Sequence, residues 1–75
     1  MEVQAYGRLT DIMGNNRFIP KGVEDTDQLK KKLVFIYPDL SDIDYAIAVN
    51  NQIVRGNYPL CNEDVISLLP PFSGG

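Results

Sequence analysis

The residues with the clearest chemical purpose are Gly74 and Gly75, which follow two prolines and a short tail. Glycine lacks a Cβ, so two in succession form a thread of bare backbone that adopts almost any φ and ψ. Proline fixes φ, so Pro70 and Pro71 should stiffen and aim the exit from the preceding strand. A rigid step before a slender tip indicates that the Gly75 carboxylate is the functional group, delivered into another protein's active site.

Two plainer explanations of the tail stay open at this stage. Chain termini commonly collect small, disordered residues, and a pair of glycines can also be an artefact of expression. The proline step favours the functional interpretation, because Pro70 cannot donate to a sheet ladder and should therefore end the strand at a defined point. We expect a single domain over residues 1–75, with residues 70–75 as its flexible C-terminal tail.

The remaining composition argues against catalysis by this chain alone. It has 75 residues, no histidine and one cysteine, Cys61, so the commonest general base is missing and no internal disulfide can form. A zinc site needs more ligands of these types, and a domain this small has little room for an enclosed active site. We expect no enzyme, no metal site and no bound cofactor, and we interpret Cys61 as a small, partly buried apolar residue.

The charge pattern bears on the partners and on the compartment. The net charge is −3, from 7 basic and 10 acidic residues, which disfavours nucleic acid and an anionic membrane as partners. The lysines at 30–32 suit a solvated helix face, and the aspartates at 39, 42 and 44 suit a solvated loop better than a catalytic cluster. A small domain without disulfides, signal peptide or membrane-spanning stretch fits a cytoplasmic location.

The apolar pattern predicts five strands and one main helix. Strands are expected at residues 2–7, 17–19, 45–49, 52–54 and 64–69. The helix should start at Asp25 or Thr26, where Asp25 and Gln28 have capping-box spacing, and should end at Pro38. With a hairpin at the start and the last strand beside the first, this order predicts an α+β fold of the β-grasp, or ubiquitin-like, type, a mixed sheet packed on one main helix.

Alternation within the strands predicts which side chains face the core. The inward positions are Val3, Ala5, Ile47, Val49, Ile66 and Leu68, and the outward ones include Gln4, Tyr6, Ala46, Ala48, Ser67 and Leu69. Residues 8–14 should form a connection with Ile12 and Met13 tucked beneath it. Asn50 and Asn51 should form a tight turn, because asparagine tolerates positive φ.

Three segments carry a resemblance to a known family. They are Leu68-Leu69-Pro70-Pro71-Phe72-Ser73-Gly74-Gly75, then Ala48-Val49-Asn50-Asn51 with Leu60 and Asn62-Glu63-Asp64, and finally Tyr6 to Gly14. Together with the predicted fold, they resemble the MoaD/ThiS-type ubiquitin-like sulfur carriers, and in particular the small subunit of molybdopterin synthase. Residues 17–44 match by pattern only, and Thr10 stands where the family often has arginine.

The resemblance implies a sulfur-carrier function for the tail. An adenylyltransferase of the ubiquitin-E1 type would use ATP and Mg²⁺ to convert the Gly75 carboxylate into an acyl-adenylate, and a sulfur donor protein would then leave a thiocarboxylate. The large subunit of molybdopterin synthase would bind the loaded tail in a heterotetramer and would transfer the sulfur to cyclic pyranopterin monophosphate in molybdenum cofactor biosynthesis. The carrier itself would supply no acid, base or metal.

The same resemblance implies roles for the residues around Gly75. Gly74 gives clearance in a narrow passage, and Ser73 belongs to the same tail. The expected partner-binding residues are Leu69, Pro70, Pro71, Phe72, Tyr6 and Leu60. For Tyr6 and Leu60 the alternative is that they merely cover the sheet, because isolated exposed apolar residues are ordinary.

Other functions stay open on the sequence alone. A sulfur carrier for thiamin thiazole synthesis, or for another sulfur pathway, would share the fold, the Gly-Gly end and the adenylation step. A ubiquitin-like protein modifier would use the same adenylate but would end in conjugates with lysines. A stand-alone interaction module would keep its function when Gly74 and Gly75 are deleted.

Overall fold

The computed structural model describes residues 1–15 and 17–70. In this part of the chain the strands are β1 (Glu2–Ala5), β2 (Ala46–Val49), β3 (Gln52–Val54) and β4 (Val65–Leu69). The α-helices are α1 (Thr10–Met13) and α2 (Thr26–Ile36), and 3-10 helices cover Gly7–Leu9 and Pro38–Asp42. The single long helix is α2, as the sequence predicts.

The strands form one mixed sheet in the order β1-β4-β2-β3. β4 runs parallel to β1 and antiparallel to β2, and β2 pairs with β3 as a hairpin. A parallel pair requires a crossover, and the chain between β1 and β4 supplies it together with α2. The pairing of the last strand with the first is confirmed, and so is the β-grasp class of a mixed sheet packed on one main helix.

The core lies between the sheet and α2. The predicted inward residues Val3, Ala5, Ile47, Val49, Ile66 and Leu68 are all buried and pack with Leu29 and Leu33 of α2. Ala48 is also buried, although it alternates with Ile47 and Val49. The physical reason is its position on β2, where Ile53 of β3 and Ser67 of β4 flank it on both sides.

The helix α2 begins and ends where its local sequence dictates. The Asp25 side chain accepts a hydrogen bond from the Gln28 backbone N–H (2.9 Å), which satisfies one of the free donors of the first turn. The Gln28 side chain accepts in return from the N–H of Glu24, one residue before the cap (2.9 Å). The helix ends at Ile36, and Tyr37, which precedes Pro38, has a non-helical backbone (φ −123°, ψ 80°).

The predicted second strand at residues 17–19 is wrong. Phe18 forms only an isolated antiparallel bridge with Val3, through two backbone hydrogen bonds of 2.7 and 2.9 Å. The next hydrogen-bonded position along the chain is Pro20, which has no N–H, so the ladder cannot continue in that direction. The N-terminal hairpin is therefore reduced to a single bridge within the described residues.

The connection after β1 is helical rather than irregular, which the sequence did not predict. β1 ends at Ala5, two residues early, because the chain turns at Gly7 (φ +60°) into a 3-10 helix that leads directly into α1. Met13 is buried and Ile12 half-buried, as expected, and Leu9 adds a fully buried side chain to the core. This helical corner fixes the chain beside the end of β4.

Candidate functional site

The candidate site is the end of β4, from which the tail leaves the sheet. Leu69 is the last residue of the strand and pairs with Ala46 of β2, and Pro70 follows outside the strand, as predicted. On the other side of β4, the backbone N–H of Tyr6 donates to the Leu68 carbonyl (3.0 Å). The base of the tail is therefore held by backbone hydrogen bonds from both neighbouring strands.

Three residues form what we call the exit surface: Tyr6, Leu69 and Pro70. Leu69 is half-buried and alternates with the fully buried Leu68, so it lies on the face of the sheet opposite α2. The parallel register pairs Ala5 with Leu68, and continued by one residue it brings Tyr6 opposite Leu69. Tyr6 is 43% exposed, which leaves its ring available for contact with another protein.

Leu60 does not belong to the exit surface. It is buried in the core at 8% exposure, and its backbone N–H donates to the Glu24 carbonyl (2.9 Å). A side chain so enclosed cannot serve as an anchor for a partner, so the structure supports the alternative that Leu60 covers the sheet. Alternation in strands could not have shown this, because Leu60 lies outside any regular strand.

The other predicted site residues lie outside the described part of the chain. These are Pro71, Phe72, Ser73, Gly74 and Gly75. Their roles stay predictions that rest on the sequence.

The opposite end of β4 is fastened by a polar network. Asp64 accepts hydrogen bonds from the Cys61 backbone N–H (2.7 Å) and from the Asn50 side chain (2.9 Å), and the Asn50 side chain accepts from the N–H of Val65 (3.0 Å). The bonds that Asp64 accepts from the Cys61 amide, foremost, and from the Asn50 side chain lower the pKa of the Asp64 carboxyl. Asn50 and Asn51 form the predicted turn with φ of 51° and 70°, so the network joins the β2–β3 hairpin to the start of β4.

Cys61 is exposed, which corrects the expectation of a partly buried residue. It lies in the turn before β4, where its backbone N–H donates to the Asp64 carboxylate. Among residues 1–15 and 17–70, the acidic and cysteine side chains form no group of three or more suited to a metal ion. None of the helices in the same ranges is long and apolar enough to cross a membrane.

A cavity of about 350 Å³ lies at the same end of the sheet as the exit surface, between α2 and β3. Its polar lining includes Lys30, Arg55 and Tyr45, and burial raises the pKa of the Tyr45 phenol. The described lining residues include no carboxylate, thiol or imidazole.

A sequence family matches this chain, and so do several chains of solved structures, among them the two that follow. The ThiS family model matches residues 3–75, a range that includes Gly74 and Gly75. A chain from the protein–protein complex of subunits 1 and 2 of molybdopterin-converting factor from Helicobacter pylori 26695 is 33% identical, with a TM-score of 0.71. That match covers 99% of this chain and 96% of the other.

The second structure, SAMP1 from Haloferax volcanii, is 21% identical with a TM-score of 0.74, and the match covers 99% of this chain and 97% of that one. At this identity it supports the fold alone. The comparison with curated proteins gives no match.

Proposed function

Because this chain belongs to the ThiS family of ubiquitin-like sulfur carriers, we propose that it is the small subunit of a molybdopterin synthase. The resemblance read from the sequence is thereby confirmed at the level of the family, whose small sulfur-carrier subunits are not themselves catalytic. The observation that carries the finer proposal is the 33% identity to a chain of the Helicobacter converting-factor complex over 99% of this chain. The Leu-Pro-Pro step that begins at Leu69 supports it.

In this proposal the Gly75 carboxylate is the reacting group. A carboxylate resists attack because its negative charge repels nucleophiles and oxide is a poor leaving group. An E1-like adenylyltransferase joins the carboxylate to AMP from ATP, with Mg²⁺, and releases pyrophosphate. Sulfide-level sulfur released by a sulfur donor protein then attacks the acyl carbon of Gly75, and the bond to AMP breaks. AMP carries away one carboxylate oxygen, so Gly75 is left as a thiocarboxylate.

The chain's own contribution is to present the tail. The doubly paired end of β4 gives the tail a fixed starting point, and the exit surface gives a partner an apolar contact beside it. Gly74 and Ser73 have small side chains that suit a narrow passage, and Phe72 and Pro71 are proposed as further partner-binding residues on the sequence alone. The large subunit of the synthase is the partner that binds the loaded tail, in a heterotetramer in the cytoplasm, with neither nucleic acid nor membrane involved.

The test is the intact mass of the protein after incubation with ATP, Mg²⁺, an active adenylyltransferase and a sulfur donor. A gain that matches one exchange of oxygen for sulfur, absent when Gly75 is deleted, is the expected result. Addition of the large subunit and the pterin precursor should then return the mass to its starting value. No gain with an enzyme that loads its own carrier would refute the proposal, and attachment to other proteins would make the chain a modifier.

A second candidate is a sulfur carrier for thiamin thiazole synthesis or another sulfur pathway, and the match to the ThiS family as a whole favours it. Both candidates give the same loaded Gly75, so the loading step cannot separate them. The two candidates differ in the protein to which the sulfur is delivered. Loss of sulfur to a thiazole synthase, with none to the large subunit of a molybdopterin synthase, would select the second candidate.

A further inference from the structure

Gly7 lies directly against Pro70, the residue that begins the tail. A Cβ built on Gly7 would lie 2.9 Å from Pro70 Cγ, 3.4 Å from its Cδ and 3.6 Å from its Cβ. Carbon atoms in contact prefer separations of about 3.5–4.0 Å. Residue 7 therefore cannot carry a side chain while Pro70 keeps its present position. A proline ring is closed onto its own backbone, so beyond a change of ring pucker it cannot swing aside without moving the chain.

The backbone of Gly7 is fixed in this place from two directions. Its carbonyl accepts a hydrogen bond from the Thr10 hydroxyl (2.8 Å) and another from the Thr10 backbone N–H. The neighbouring Tyr6 is tied to β4 through its N–H and accepts from the N–H of the fully buried Leu9 (3.2 Å). Gly7 therefore cannot retreat from Pro70 without breaking the helical corner after β1. Thr10, at the position where the family pattern often has arginine, serves this corner.

Gly7 differs from the other described glycines with positive φ. Gly14, Gly22 and Gly56 have φ between +67° and +78°, but a Cβ on any of them would meet nothing within 4 Å. At those positions a side chain would strain the backbone only. At Gly7 it would strain the backbone by a similar amount and would also displace Pro70.

We propose that Gly7 is a positioning residue, whose bare backbone seats the Pro70 ring and sets the direction in which the tail leaves the sheet. The inference rests on the proposed function, because direction matters only if Gly75 has to reach an active site. If the tail starts in another direction, fewer of its conformations place Gly75 in the active site, and a misplacement of the reacting group by about 1 Å can cost up to about a hundredfold in rate.

The experiment compares Gly7→Ala with Gly22→Ala, its matched control for backbone strain. Thiocarboxylate formation is followed by intact mass with the adenylyltransferase, ATP, Mg²⁺ and the sulfur donor, and thermal unfolding is measured beside it. Both variants should lose stability through backbone strain, and Gly7→Ala should lose more because of its clash with Pro70, so loading is assayed at a temperature at which both are folded. Gly22→Ala should be loaded at the wild-type rate, whereas Gly7→Ala should lose about ten- to a hundredfold in kcat/KM, mainly in kcat. Equal kcat values for the two variants would overturn the inference.

The pair Gly7 and Pro70 also allows a double-mutant cycle. If the ring and the new Cβ compete for one space, Gly7→Ala should reduce kcat much less in a Pro70→Ala background than in the wild type. If the two substitutions instead reduce kcat by independent factors that multiply in the double variant, the contact between Gly7 and Pro70 is contradicted. If Gly7→Ala is unfolded at the assay temperature, Pro70→Ala alone decides, because it removes the contact without strain at Gly7; a wild-type kcat for it would overturn the inference.

The same assay separates a failure of the role of Gly7 from a failure of the proposed function. A wild-type protein that is loaded, with Gly7→Ala loaded equally well, refutes only the role of Gly7. A wild-type protein that is not loaded by a demonstrably active enzyme refutes the proposed function, and the role of Gly7 with it.

Discussion

Two adjacent leucines of β4 should separate folding from partner binding when each is changed to alanine. Leu68 is 0% exposed and pairs with Ala5 and Ile47 inside the core, whereas Leu69 is half-buried on the exit surface. Deletion of a fully buried leucine side chain typically costs about 2–5 kcal/mol. A domain of this length has roughly 4–11 kcal/mol of unfolding free energy, so Leu68→Ala should remove a large part of it.

The expected size of each effect follows from these positions. For Leu68→Ala a loss of about 3 kcal/mol corresponds to a fall in Tm of roughly 12–24 °C. For Leu69→Ala, partial burial limits the stability loss to about 1 kcal/mol. Its loss of affinity for the large synthase subunit should reach about 2 kcal/mol, or about thirtyfold in Kd, as expected for an interface anchor.

Circular dichroism during heating measures the loss of stability. Titration calorimetry, well below the Tm of each variant, measures the loss of affinity for the large subunit. Val65→Ala is the matched control, because Val65 lies on the same face of β4 at its far end and is 44% exposed. Val65→Ala should change neither the Tm nor the Kd for the large subunit by much. A Leu69→Ala variant that binds within twofold of the wild type would refute the assignment of the exit surface. If folded Leu68→Ala binds the large subunit weakly, the assignment of folding to Leu68 and partner binding to Leu69 is refuted.

Three further predictions concern stability. Thr26→Val should lower the unfolding free energy by about 1–3 kcal/mol in urea denaturation, because the buried Thr26 hydroxyl accepts from the Tyr58 N–H (2.9 Å) and valine leaves that donor unpaired; an unchanged value would contradict the role of the hydroxyl. Asp64→Ala should be destabilising near neutral pH. Because the folded-state pKa of Asp64 lies below its unfolded value, this contribution is complete above about pH 4–5 and is lost as the pH falls through the folded-state pKa. The difference between wild type and Asp64→Ala should therefore shrink on acidification, and a constant difference down to about pH 2 would count against it. Asn51→Ala should cost about 1 kcal/mol because of its φ of 70°, whereas Asn51→Gly should be close to neutral in thermal unfolding.

The elements predicted correctly are those encoded by short-range rules. Alternation shows the inward residues of β2 and β4, such as Ile47 and Leu68, because each strand has one face against the core. The start of α2 follows from Asp25, whose side chain caps the first turn. The sequence could not predict α1, because a helix of 4 residues is too short to show a helical period, so Leu9 and Met13 looked like parts of a loop.

In the candidate site, too, only the features that depend on neighbouring residues in the sequence could be predicted. The end of β4 at Leu69 follows from the proline after it, which is a local property. The burial of Leu60 depends on how the chain before β4 folds over the core, and no pattern in the neighbouring residues indicates it. The closeness of Gly7 to Pro70 arises from pairing between the first and last strands, which no local rule resolves to the scale of an atomic contact.

The position of β4 in the sheet explains why its end suits a carrier. A strand at the edge, such as β3, has one neighbour, whereas β4 is paired with β1 on one side and β2 on the other. Freeing its last residues would break both ladders, so the base of the tail should open only in events close to global unfolding. Each backbone residue already held in place spares a partner roughly 1–2 kcal/mol of ordering entropy. Leu69 and Pro70 thus reach a partner in a defined geometry, and the binding energy of the exit surface can be directed to placing Gly75.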